Sequence, residues 1–293
     1  MSEVPRWWGD GPAPVIDWAD GPRIMAAHWA QLRRLSEYAQ RWPAQAGESE
    51  LALSEHSVSS QNGEDGVIAQ MMTRIGISNM TFVEFGVETG AEGNCVCLAD
   101  HRGWTGWFLE ADEDQHRQLA AKYAWNRRIH TVRSVVTAEN INQLFAQLGV
   151  PAVVDVLSID IDGADYEVWR ALTVIRARLV VIEYNSAVDP KLAVVPRDPR
   201  APWDGTQNFG SSLGAIAAVA NEKGYDLVYL ESRGVNAFFL DRAVSWPGAK
   251  GEDVVGRTPN FFMTRSQHPG FDPTLSFFAP LPSPETADSV DLP

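Results

Sequence analysis

From about residue 54 onward, short apolar runs alternate with longer segments that are apolar on one side only. That is how a mostly parallel sheet with helices on both faces reads. The apolar runs predict strands at Thr81–Phe85, Gly106–Glu110, His130–Val135, Val153–Ile159, Leu179–Glu183, Leu227–Leu230 and Ala237–Leu240. The one-sided segments predict helices over about 62–75, 92–102, 113–125, 138–148, 164–174 and 211–223. Only ESRGVN joins the last two strands. It is too short for a crossover helix, so those strands must pair antiparallel. The expected fold class is α/β, a Rossmann-like, seven-stranded, mostly parallel sheet with an antiparallel last strand.

Three stretches break the alternation. In RIMAAHWAQLRRLSEYAQRW the apolar side chains Met25, Trp29, Leu32, Leu35, Ala39 and Trp42 fall on one helical face. The spacing predicts an N-terminal helical extension that packs on the main domain, or else serves as a lid or a homodimer contact. Residues 186–209 form a proline-rich loop longer than a structural connection needs, and loops of that length tend to be functional. The prolines after Ser266 predict an extended strap or a disordered end. The expected organisation is a tryptophan-rich extension over 1–53, a ligand-binding domain over 54–265 and a proline-rich tail over 266–293.

Composition narrows the partners. At 293 residues and 45% hydrophobic, the chain has ample material for a core. Its 24 basic and 38 acidic side chains leave a formal charge of −14, which repels nucleic-acid phosphates and anionic membranes. No apolar run approaches the roughly 18 residues of a membrane span, and no leader pattern opens the sequence, so the expected location is the cytoplasm. The cysteines, Cys95 and Cys97, and the scattered histidines form no zinc-like spacing.

The stretch TFVEFGVETGAEGN carries the first candidate site. A strand ending near Glu84 runs into a turn with Gly86 and Gly90, where missing side chains let a ligand approach the backbone. A pyrophosphate at this turn would meet Glu84 and Glu88, whereas a sulfonium and an ammonium would be attracted. S-adenosylmethionine therefore fits better than a dinucleotide. Glu110, at the end of the next strand and followed by Ala111, is placed to accept hydrogen bonds from both ribose hydroxyls. Val135 and Val136 end the third strand where an adenine can rest, and Glu139 with Asn140 either serves the same end or caps a helix.

A second candidate cluster follows. VDVLSIDIDGADYEVW and LVVIEYN place Asp160, Asp162, Glu183 and Asn185 at the C-terminal ends of two buried strands, the rim where open α/β sheets bind ligands. Alternation puts Asp160 with Asp162, and Glu183 with Asn185, on common faces. Asp162 and Asp165 can equally be helix caps. If a metal binds, Asp160, Glu183 and Asn185 are the expected ligands. Magnesium is compatible with them but not required, and a carboxylate can instead act directly as a general base.

The ordered series SQNGEDGVI, VEFGVETG, WTGWFLEAD, TAENIN, LSIDIDGADYEVW, VVIEYN and NFGSSLGAIAAVANEKGYDLVYL resembles the class I S-adenosylmethionine-dependent methyltransferases, and more closely their FkbM-like branch. The resemblance spans about Ser60 to Arg242. It implies methyl transfer to a small-molecule acceptor, usually a hydroxyl. It also implies that Gln61, Glu64, Glu84, Gly86, Gly90, Glu110 and Asp160 hold the cofactor, and Ala111 and Val136 are expected to line the same site. Glu88 stands where the family's turn carries a glycine. The acceptor is expected beneath the 186–209 loop beside Asp162, Glu183, Tyr184 and Asn185, with Trp203 stacking on it and Lys191, Arg197 or Arg200 holding any anionic group. The alternatives are a non-methylating S-adenosylmethionine enzyme, a catalytically idle cofactor-binding module and, more remotely, an NAD oxidoreductase.

Overall fold

The structure is a computed structural model that describes residues 50–201, 203–244 and 274–281. The helix expected over the tryptophan-rich start, its dimer contact and the last residues of the tail lie outside the described residues. In chain order the elements are α1 (Glu50–Leu53), α2 (Glu64–Ile75), β1 (Thr81–Phe85), α3 (Val96–His101), β2 (Thr105–Glu110), α4 (Glu113–Tyr123), β3 (Ile129–Arg133), α5 (Ile141–Leu148), β4 (Val153–Ile159), α6 (Asp165–Ala171), β5 (Arg176–Glu183), β6 (Val194–Pro196), α7 (Leu213–Lys223), β7 (Tyr225–Leu230), β8 (Asn236–Asp241) and β9 (Phe278–Pro280).

Seven strands form one sheet in the order β3-β2-β1-β4-β5-β8-β7. Strands β1 to β5 pair in parallel, and β8 runs antiparallel to both of its neighbours. The expected fold class is therefore the observed one. The chain winds outward from β1 to β3, then returns to place β4 on the other side of β1. That reversal opens a crevice above the C-terminal ends of β1 and β4.

Alternate side chains of the central strands enter two apolar layers, as a sheet covered on both faces requires. Val83, Phe85, Leu157, Ile159, Val180 and Phe239 pack with side chains of α5, α6 and α7. Phe82, Phe108, Val156, Val181, Phe238 and Leu240 pack with side chains of α2, α3 and α4. At the end of the sheet away from the crevice, the fully buried Asp155 accepts the N–H groups of Ser78, Asn79 and Met80 and pairs with Arg178 at 2.7 Å. This pins the loop that leads into β1.

The differences from the sequence reading lie at ends and additions. Helix α3 starts at Val96 rather than near residue 92, because the preceding backbone is drawn over Glu84. The long loop contributes β6, which pairs antiparallel with β9 of the tail. Arg197 N–H also donates to Phe277 O, and Leu281 N–H to Ala193 O. Over 278–280 the tail is extended and lies on the inserted loop.

Candidate active site

A cavity of about 800 Å³ occupies the crevice. Glu64, Glu84, Glu88, Glu110, Asp160, Asp162 and Glu183 line it, and Arg200 is the guanidinium among its described lining residues. An anionic ligand would meet repulsion on most sides, whereas a cationic one is attracted.

The floor is the turn after β1. Gly86 has φ of +68°, and a Cβ there would lie 1.7 Å from the carbonyl oxygen of Asp160, so only glycine lets β1 and β4 approach this closely. Glu84 is 3% exposed, and its two oxygens accept the N–H groups of Asn94 at 2.7 Å and Cys95 at 3.0 Å. Burial pushes Glu84 up to about 7 against the pull of those two bonds. Glu88 has φ of +53°, and its N–H donates to Glu110 Oε2 at 2.8 Å. Its backbone shapes the turn while its side chain is exposed. The other oxygen of Glu110 accepts the Asp112 N–H at 2.8 Å. Beyond Glu110 the wall continues through Ala111 and the segment after β3. There Val135 is 64% exposed and lines the cavity with Val136, an apolar shelf suited to a flat ring.

On the other side, β4 and β5 bring Asp160, Asp162 and Glu183 together, with one carboxylate oxygen of each within 4.8 Å of the other two. Asp162 has left the strand at φ of +59°. Burial first, and then the charges of Asp165 and Asp162, hold Asp160 well above the usual carboxylate range. Burial and the charge of Asp160 do the same for Glu183. Asp165 is not the helix cap expected as an alternative: it is the first residue of α6, whose N-cap position is Ala164, and its oxygens accept the N–H groups of Ile161 at 2.9 Å and Gly163 at 3.0 Å in the turn before the helix. The inserted loop roofs this end with Pro199, Arg200, Ala201, Trp203 and Phe209. The rings of Trp203 and Phe209 meet edge to face, with centroids 6.1 Å apart.

Several expected site residues serve other ends. Asn185 does not line the cavity; its amide donates to the carbonyls of Gln207 and Phe209 and accepts the Ala187 N–H, which clasps the inserted loop to β5. Its place in the expected metal set is taken by Asp162. Tyr184, 1% exposed, belongs to the apolar layer under the sheet. Gly90 faces Leu119 and Tyr123 of α4 instead of the cavity. Arg197 is spent on Ser276 O at 2.8 Å, and Arg200 is paired with Glu139 across the mouth.

Sequence reasoning missed Asn62, Asn94, Val235 and Asn236, which also line the cavity. Asn236 carries a readable signal, a lone amide at the head of an apolar strand. The others depend on loops folding back over β1, and spacing does not encode that.

No protein-family model and no curated protein sequence matches the chain. Among solved structures, the N-terminal domain of EvdMO1 with SAH bound is 12% identical, with 72% of this chain and 94% of that one covered at a TM-score of 0.41. A putative caffeoyl-CoA O-methyltransferase from Staphylococcus aureus is also 12% identical, over 76% and 99%, at a TM-score of 0.41. The O-methyltransferase from Bacillus cereus in complex with SAH is 14% identical, over 78% and 91%, at a TM-score of 0.40.

Proposed function

We propose that the cavity binds S-adenosylmethionine and that the protein is a methyltransferase of the class I type, acting on the hydroxyl of a small molecule. The observation that carries this reading is the acid-lined cavity over a glycine turn. Its buried Glu84 and Glu110 favour a cationic nucleoside and oppose a pyrophosphate. When bound, the cofactor supplies an electrophilic methyl group on a sulfonium. Glu110 would hold the ribose, Val135 and Val136 the adenine ring, and Gln61, Glu64, Glu84 and Asp160 the charged methionine end.

The acceptor would lie beneath Trp203 and Phe209, with its hydroxyl at Asp162 and Glu183. Burial raises the affinity of Glu183 for protons, which suits the role of general base for that hydroxyl. Holding the two reactants in line can contribute about 7–11 kcal/mol in favourable cases. The oxygens of Asp160, Asp162 and Glu183 also fit a hard divalent cation, which would acidify the hydroxyl there.

Calorimetry with S-adenosylmethionine, followed by product analysis, tests the reading. S-adenosylhomocysteine as the product supports methyl transfer. Methylthioadenosine would point to alkyl transfer or elimination, and binding of NADH in place of S-adenosylmethionine would overturn the assignment. Asp162→Ala is expected to keep cofactor affinity and lose turnover by about 10²-fold or more.

A further inference from the structure

Asn236 opens β8 opposite Glu183 of β5 and is 4% exposed. Its backbone is fixed in the hairpin: the N–H donates to Glu231 Oε1 at 3.2 Å, and the carbonyl accepts the Glu231 N–H at 3.2 Å. Its side-chain Nδ2 donates to Glu64 Oε1 at 2.8 Å. Glu64, 1% exposed, is itself held by the Asn62 N–H on Oε2 at 2.8 Å. These bonds orient the amide so that Oδ1 is left as a buried acceptor with no donor, on a residue that lines the cavity.

An unmet buried carbonyl is destabilising, because it has given up its hydrogen bonds to water without replacing them. Such a group in a rigid cavity wall is accounted for when a ligand brings the donor. The surroundings define that donor. Glu64 lies alongside, and the charges of Glu64 and Glu84 both act on Asp160, so the potential here is negative. A cation with several N–H groups satisfies both the charge and the open acceptor, and an alkylammonium offers three donors.

The geometry points to Asn236, backed by Glu64, as the seat of the α-ammonium of the cofactor's methionine part. This rests on the S-adenosylmethionine reading above. It adds a residue from the terminal hairpin to a site otherwise built on the C-terminal ends of β1 to β5 and the start of α2. The amide oxygen accepts one N–H of the ammonium, and the Glu64 carboxylate balances its charge. That contact fixes the amino-acid end of the ligand and, through it, the direction of the sulfonium.

The test is calorimetry on the full chain with two probes, S-adenosylhomocysteine and 5′-methylthioadenosine. They share the adenosine and the thioether and differ in the amino-acid end. Asn236→Ala is expected to weaken S-adenosylhomocysteine by about 10- to 100-fold, the range of a hydrogen bond to a charged group. Methylthioadenosine affinity should stay the same and also shows that the floor is folded. Asn236→Ser, which keeps a small polar group beside Glu64, should show the same selective loss with less disturbance. Unchanged S-adenosylhomocysteine affinity, or equal loss of both probes in both variants, would overturn the assignment. Wild-type protein that bound neither probe would instead overturn the S-adenosylmethionine reading, and this inference with it.

Discussion

Glu88 occupies a left-handed backbone position that glycine takes at no steric penalty, and its structural contribution is its N–H to Glu110. Glu88→Gly is therefore expected to leave stability unchanged or raise it by up to about 1 kcal/mol, read as an unchanged or higher melting temperature. The two glycines of the same turn separate in the opposite sense. Gly86→Ala would drive a methyl group into the Asp160 carbonyl and should destabilise by about 2 kcal/mol or more, with cofactor binding lost. Gly90→Ala would meet the far end of the Leu119 side chain, so it should lower the melting temperature while leaving calorimetric affinity for the cofactor unchanged. In the sequence these glycines look alike. Only the neighbours that the fold delivers, a backbone carbonyl for one and a flexible side chain for the other, tell them apart.

Among the elements, the inserted loop is the one whose position most needs explaining, since it has no core of its own. It is held at one end by the Asn185 amide and at the other by β9, where Phe278 is 2% exposed. Phe278→Asp should free the strap, because an unpaired carboxylate cannot remain buried there without a large penalty. The expected outcome is faster proteolysis within 186–209 and a raised acceptor KM, with S-adenosylhomocysteine affinity unchanged. Loss of cofactor affinity to the same degree would show that the strap supports the whole cavity rather than its roof. Strand and helix placements were legible because apolar periodicity is local. The pairing of Val194 with Pro280 was not, since short, proline-bearing segments distant in sequence carry no periodicity to announce their partner.

For the molecule as a whole, the consequence of gathering so many carboxylates at one rim is a stability that depends on pH. Burial raises Asp165 to about 6, Glu84 to about 7 and Glu231 to about 8, each above its ordinary value. Between the unfolded and folded values the native state holds more protons than the unfolded chain, so stability falls as pH rises. The ligand-free melting temperature is expected to drop between about pH 5 and pH 8, and S-adenosylmethionine should raise it more at the upper end, where a cation meets ionised carboxylates. A melting temperature that climbed steadily over that range would contradict the arrangement. The sequence by itself determined the alternation of strands and helices, the antiparallel last pair and the acidity of the turn after β1, since periodicity, loop length and charge are properties of neighbouring residues. Tertiary structure alone decided that Asp162 rather than Asn185 joins Asp160 and Glu183, that Arg197 and Arg200 are already engaged, and that Asn236 presents an open acceptor. Those outcomes depend on which side chains meet across strands and loops far apart in the chain, where burial and competing hydrogen bonds choose the partner.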